Sequence, residues 1–374
     1  MSHTAAQGTF MSVNFVTHVT GARPNFPKAG PVIRALSALG IQQRLIHTGQ
    51  HYDDKMSEIF FRELELPRPD ENLGVGSGKH GEQTARAMIL LEEEFIANPP
   101  ALVIVYGDIN STVAASLVAA KLQIPVAHVE AGLRSFDRAM PEEVNRLVTD
   151  QLSDLLFATS PDAIAHLANE GVDADKIHFV GNPMIDTLLA NLDKATLELR
   201  NFDFTVPEKF AIVTLHRPSN VDDESLSREI VDALNEIAEL IPLVVPLHPR
   251  GRAQLEALGF GQSANVHLVD PLGYLDFVTL MRNATAVITD SGGVQEETTI
   301  LNVPCLTLRK NTERPITITH GTNRLVEPSD LVAEVKKVLL GKSGDPIYPP
   351  LWDGSAGHRI AKVIAEFLPS LTKD

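Results

Sequence analysis

The run Thr289-Asp290-Ser291-Gly292-Gly293-Val294-Gln295-Glu296-Glu297 joins a glycine turn to the start of a helix, directly after the short β-rich segment Ala286–Thr289. Ser291, Gly292 and Gly293 let backbone N–H groups approach an anion closely, with the positive end of the following helix behind them. One turn on, Glu296 and Glu297 would repel a phosphate but accept hydrogen bonds from ribose hydroxyls. The combination suggests a nucleotide seat. A glycine turn with an N-capping serine is the plainer alternative.

Other polar motifs share that placement. Gly21-Ala22-Arg23-Pro24, Thr48-Gly49-Gln50-His51, Gly107-Asp108, Glu130-Ala131-Gly132-Leu133-Arg134, His216-Arg217 and His248-Pro249-Arg250 each follow an expected strand. In an open α/β sheet the carboxyl ends of the strands are where ligands bind. A histidine or arginine at one strand end can simply cap a neighbouring carbonyl; the same placement repeated along the chain argues for a site.

Two tempting signals carry less. Gly76-Ser77-Gly78-Lys79-His80-Gly81 matches the dinucleotide pattern G-x-G-x-x-G and precedes a helix expected from about Gln83 to Ile96. It follows a proline-rich acidic loop, without the strong strand of a βαβ unit. No histidine or acidic spacing suits a metal. Cys305, the single cysteine, lies in an apolar strand pattern and is expected in the core.

The elements that must position these motifs alternate as short β-branched runs and helix-length segments, the pattern of parallel sheets covered by helices on both faces. Expected strands are Val13–Thr20, Arg44–Thr48, Leu102–Tyr106, Val126–Val129, Leu155–Ala158 and His178–Val180, then Ala211–Leu215, Leu243–Leu247, Val266–Val269, Ala286–Thr289 and Cys305–Leu308. The fold expected is α/β, two doubly wound Rossmann-like domains facing across a cleft: 1–190, and 191–355 for nucleotide binding, with a last helix in 356–374 returning to the first. The 374 residues, 44% hydrophobic and 21% charged, suit a globular protein. A net charge of −16 argues against nucleic-acid or anionic-membrane partners. No apolar run suggests a membrane span, and the polar opening Met1 to Thr9 points to the cytoplasm.

Together these motifs, with Lys28, Met140-Pro141-Glu142-Glu143-Val144-Asn145-Arg146 and Thr312-Glu313-Arg314-Pro315, resemble the non-hydrolysing UDP-N-acetylglucosamine 2-epimerase family from about Val16 to Pro328. The resemblance implies a glycosyltransferase-B-like arrangement, a homodimer, no cofactor, and interconversion of UDP-N-acetylglucosamine and UDP-N-acetylmannosamine through 2-acetamidoglucal and UDP. It implies catalytic roles for Asp108, Glu130, Glu142 and His216, with Arg134 and Arg146 orienting the carboxylates. UDP-sugar contacts would come from Arg23, Lys28, Phe277, Ser291, Gly292, Gly293, Glu297 and Arg314. An N-cap cluster at Asp108 and an ordinary acidic helix start at Pro141-Glu142-Glu143 are the alternatives, and for Glu143 the helix start is preferred.

The chain departs from the family at Pro218-Ser219-Asn220, where many members carry Arg-Glu-Asn, and at Glu82, where regulated members carry arginine beside a second UDP-sugar site. That site would comprise Gln50, His51, Glu82 and His248, with activation weakened by Glu82. Other activities to weigh are a UDP-2,3-diacetamido-glucuronate epimerase, for which Lys28 or Arg138 would hold the extra carboxylate, a hydrolysing epimerase, a glycosyltransferase, and a regulator that binds without chemistry.

Overall fold

Short apolar strands separated by amphipathic segments leave the chain one economical solution, winding each helix back over its sheet so that successive strands lie parallel. The computed structural model describes residues 15–50, 54–217, 220, 223–247, 249–341 and 347–369. The first half runs β1 (Phe15–Thr20), α1 (Phe26–Ala38), β2 (Gln42–His47), α2 (Asp54–Glu63), β3 (Glu71–Asn72), α3 (His80–Ala97), β4 (Leu102–Tyr106), α4 (Asn110–Lys121), β5 (Val126–Ala131), α5 (Pro141–Leu152), β6 (Leu155–Ala158), α6 (Pro161–Asn169), β7 (Ile177–Phe179) and α7 (Pro183–Asn191). The second runs β8 (Ala211–Thr214), α8 (Glu224–Ala238), β9 (Leu243–Pro246), α9 (Pro249–Ala257), β10 (Val266–Val269), α10 (Tyr274–Asn283), β11 (Ala286–Thr289), α11 (Gly292–Leu301), β12 (Cys305–Thr307), α12 (Ile316–Thr319), β13 (Asn323–Leu325), α13 (Leu331–Leu339) and α14 (Ala356–Phe367).

The strand orders are β3-β2-β1-β4-β5-β6-β7 and β10-β9-β8-β11-β12-β13. Every pairing is parallel. Both sheets therefore wind outward in two directions from their first strand, and the reversal falls between β1 and β4 and again between β8 and β11. At such a point the loops diverge to opposite faces and open a crevice. β3 and β13 lie outside the expected strand set, because two or three residues at a sheet edge carry almost no hydrophobic pattern.

Apolar packing fixes both sheets. Val16, Val32, Leu36, Ile104 and Phe157 form a core with Ile360, Ala361 and Ile364 of α14, so the last helix lies on the first sheet's side. Asp186 of α7 begins that return by accepting from the amides of Ala356 (3.1 Å) and Gly357 (2.7 Å), the donors a helix start leaves open. Ala87, Leu91 and Phe95 of α3 cover the opposite face against Val103 and Val105. Each fully buried leucine or phenylalanine of this kind contributes about 1.5–3 kcal/mol. A third cluster joins Phe26 and Leu64 from the first half to Phe210, Tyr274 and Val287 from the second. The halves are thus packed together beneath the residues that face one another above.

Candidate functional site

The two strand-order reversals carry most of the residues singled out by sequence. Beyond β1, Asn25 accepts from the Gly21 and Ala22 amides and donates to the Tyr106 carbonyl at 2.9 Å, tying the end of β1 to the end of β4. Arg23 sits half-buried in the single turn that follows β1. Past β4, Gly107 has φ of 63°, and a Cβ there would lie 3.0 Å from Lys28 Nζ and 3.2 Å from Glu130 Oε2. Glycine meets two demands there: a left-handed backbone, and room for a charged pair.

Glu130 is held in a strained backbone. The β5–β6 register shifts between Val129 and Ala131, and Glu130 has φ of 79° although it is not glycine. A bulge re-aims one side chain out of the alternating pattern, and such strain persists only where the surroundings over-determine it. Lys28 takes one carboxylate oxygen and Arg314 Nη2 the other at 2.6 Å. Burial works to raise this carboxyl, yet the two cations outweigh it and hold it below the usual range.

Arg314 links the halves. Its fully buried guanidinium contacts Glu130, Glu313 and, through Nε at 2.9 Å, Glu296 of α11. A Cβ on Gly292 would lie 2.5 Å from Arg314 Nη1, so this glycine makes room for the guanidinium directly behind the helix start. The Ser291 hydroxyl does not cap α11, leaving the first-turn amides half-exposed and open to an anion. Burial raises Glu296 to about 7 and Glu297 to about 8. Glu297 faces Tyr274, and its Oε1 is buried without a hydrogen-bond partner. Phe277, half-buried on the same first turn of α10 as Tyr274, packs against the cluster that joins the halves.

Beyond β8, His216 depends on Asp290. The Asp290 carboxylate accepts from His216 Nδ1 at 2.8 Å, from the His216 and Arg217 amides, and from Asn220 Nδ2. Burial acts to raise Asp290, but these donors, His216 first, hold it low. Anchoring Nδ1 leaves His216 Nε2 on a side chain that is 62% exposed. In the first half, Arg146 pairs with Asp108 and, at 2.5 Å, with Glu143. Glu142, one residue before, is half-buried and has no hydrogen bond or ion pair among the described residues.

Several expectations meet a different arrangement. Arg134 is directed away from the three carboxylates and ion-pairs with Asp150 (2.7 Å) and Glu170 (2.6 Å), so it is not among the residues gathered at the crevice. Glu143 does more than favour a helix start: it is buried and accepts from the Ser135 and Phe136 amides, tying the 135–136 turn to Arg146. Gln50 turns inward, its Oε1 accepting from Ser111, while Glu82 is exposed beside Arg86. His51 and His248 lie outside the described residues. Lys28, a candidate for an extra sugar carboxylate, is already paired with Glu130. Asp290 and Glu313 escaped assignment, the sequence signal for the first being its place in the serine-glycine run; Glu296, read with Glu297 as an acceptor for ribose hydroxyls, meets Arg314.

The family model for UDP-N-acetylglucosamine 2-epimerase matches residues 34–365. The UDP-N-acetylglucosamine 2-epimerase of Methanocaldococcus jannaschii is 42% identical over 92% of this chain and 97% of its own. The UDP-2,3-diacetamido-2,3-dideoxy-D-glucuronate 2-epimerase of Pseudomonas aeruginosa is also 42% identical, over 93% of this chain and 98% of its own. A crystal structure of the M. jannaschii enzyme in complex with UDP-GlcNAc and UDP superposes with a TM-score of 0.88, covering 94% of this chain and 99% of that one. A glycosyltransferase from Streptomyces nogalater, 16% identical with a TM-score of 0.53, shares the fold.

Proposed function

We propose, because the chain belongs to the UDP-N-acetylglucosamine 2-epimerase family, that it interconverts UDP-N-acetylglucosamine and UDP-N-acetylmannosamine by eliminating and re-adding UDP. The observation that carries this reading is the position of Arg314, in contact with Glu130 on one side and packed behind the Gly292 helix start on the other. One cation thus serves the proton-handling side and the seat of the leaving group.

The C2 hydrogen of the sugar is not adjacent to a carbonyl, so direct abstraction is unfavourable. Breaking the anomeric C–O bond and removing the C2 proton gives 2-acetamidoglucal and UDP; returning UDP and placing a proton on the other face of C2 inverts that centre. The open amides of Gly292 and Gly293, with Arg23 and His216, stabilise the charge that grows on the diphosphate, while the Ser291 amide is held by Thr289 Oγ1 at 3.0 Å. Glu297, buried and short of a donor, suits the ribose hydroxyls. Asp108, Glu130 and Glu142 supply carboxylates for the two proton transfers. The ion pairs keep Glu130 ionised, while Glu142 has no partner that must be released first. Arg146 positions Asp108.

The same proposal includes a homodimer in the cytoplasm, checked by light scattering and fractionation, and weak activation by UDP-N-acetylglucosamine. Reaction of UDP-N-acetylglucosamine in deuterium oxide, followed by proton NMR, tests the chemistry. Both epimers should carry deuterium at C2 without added or bound NAD. Retention of the original hydrogen in both would reject elimination with solvent exchange. The Pseudomonas relative makes a uronate sugar a second reading, and the cations described next bear on it.

A further inference from the structure

Next to the crevice a cavity of about 700 Å³ lies between the 137–140 segment of the first half and the ends of β8 and β12 in the second, with Arg217 and Arg309 in its lining. Among the described residues neither guanidinium is fully satisfied by acceptors. Arg309 has a side chain only 4% exposed, gives Nη2 to Glu313 at 2.6 Å, and keeps Nη1 buried without a hydrogen-bond partner. Glu313 is shared, its other oxygen serving Arg314. Arg217 gives Nε to the Asp290 carbonyl at 3.1 Å, while its Nη1 meets only the Met140 sulfur at 3.9 Å. The two cations also act on one another: Arg217 is lowered by burial and then by Arg309.

A buried donor without a partner loses its full hydration, and two like charges in one cavity add repulsion. Glu313, Glu142 and Asp290 offset part of the cost at Arg217. Of the acids lining the cavity, Asp137 is half-buried and accepts from the Ala139 amide, while Asp223, Glu229 and Glu327 are exposed at its rim, Asp223 capping α8 through the Leu226 amide. What the inner wall lacks is an oxyanion, for which guanidinium forks are the preferred protein partner.

We propose that Arg217 and Arg309 form a second anion site, separate from the Ser291–Gly293 diphosphate seat, which takes one carboxylate or phosphate group beside the sugar end of the crevice. Arg217 directly follows His216, and Met140 lies two residues before Glu142, so the site adjoins one group assigned to the diphosphate and one assigned to the sugar. Its occupant is either a carboxylate carried by the sugar itself or a free phosphate ion. The extra cation sought in the first half for a uronate substrate is thereby found in the second.

Inorganic phosphate is titrated calorimetrically into the full-length enzyme already saturated with UDP, so that the diphosphate seat is filled. One saturable site is expected, weakened tenfold or more in Arg309→Gln and in Arg217→Gln, retained within a few-fold in Arg309→Lys, and unchanged in Lys336→Gln, an exposed lysine outside the cavity lining. Two substitutions on opposite sides of the cavity, with the charge-conserving lysine, separate loss of the site from loss of the fold. The second arm rests on the epimerase reading: KM is measured for UDP-N-acetylglucosamine and for its C6-carboxylate analogue. If the occupant is sugar-borne, phosphate competes with the acid sugar, and Arg309→Gln raises its KM at least tenfold more than that of the neutral sugar. If it is free phosphate, phosphate binds without competing and the two KM values move together. No saturable phosphate binding to the UDP complex, combined with equal KM changes for the two sugars, overturns the site. Loss of activity toward both sugars with phosphate binding intact would count against the epimerase reading alone.

Discussion

Glu130 and Asp108 of the first half stand in a different state from Glu297 of the second. In the first half Glu130 and Asp108 are each tied to arginine or lysine, and Glu130 is held below its usual range. In the second, Glu297 is buried, pushed to about 8, and keeps Oε1 without a hydrogen-bond partner, while Glu296, pushed to about 7, meets Arg314 Nε. The difference teaches what each side is prepared for. Ion pairs formed in advance fix groups that must act in a defined geometry, whereas an unsatisfied buried carboxylate is completed only when a ligand brings hydroxyl donors. Arg314 connects the two states.

Removing that connection should have the largest effect. Arg314→Met strands Glu296 and leaves Glu130 and Glu313 each with a single cation, Lys28 and Arg309, in a buried setting, and loss of one partner from such a group costs about 3–5 kcal/mol. Urea unfolding measures it; a loss below about 1 kcal/mol would mean that water reaches the network and the contrast between halves is false.

Glu142→Gln comes next and separates chemistry from binding. With no ion pair to lose, this change should leave stability nearly unaltered while lowering turnover by about two orders of magnitude at similar UDP affinity. Near-normal turnover would remove the first-half carboxylates from the mechanism.

Asp290→Asn keeps shape but loses the charge that anchors His216, and UDP affinity should fall about tenfold. Unchanged affinity in a calorimetric titration would leave Asp290 a purely structural acceptor.

The smallest effect is the dependence of UDP binding on pH. Glu297, raised by burial to about 8, is largely protonated in the free protein at neutral pH. Ribose hydroxyls donate best to the ionised form, so binding should release a proton, and affinity should rise from pH 6 toward 8 and level off above. The limiting slope is about tenfold per pH unit. The sign for stability is the reverse: with the folded value raised, the free protein loses stability as pH climbs from the ordinary carboxylate range through about 8. A slope that persists in Glu297→Gln would assign the proton to another group.

The sequence by itself determined the architecture and the address of the site. Alternating apolar runs specify parallel strands and covering helices because each run has one face to bury, and the polar motifs after β1, β4, β8 and β11 were legible since ligand residues collect where strands end. It also marked Asp108, Glu130, Glu142 and Arg314 through resemblance. Only the tertiary structure decided the pairings. That Arg134 serves Asp150 and Glu170, that Glu143 holds a loop, and that Asp290 anchors His216 depend on contacts between residues 16 to 74 positions apart or on the turn geometry beside a helix. The bulge that turns Glu130 toward Lys28 and Arg314 leaves no mark in the alternation of β5. Charge pairing is a matter of distance and burial, and neither is a property of residue type or spacing along the chain.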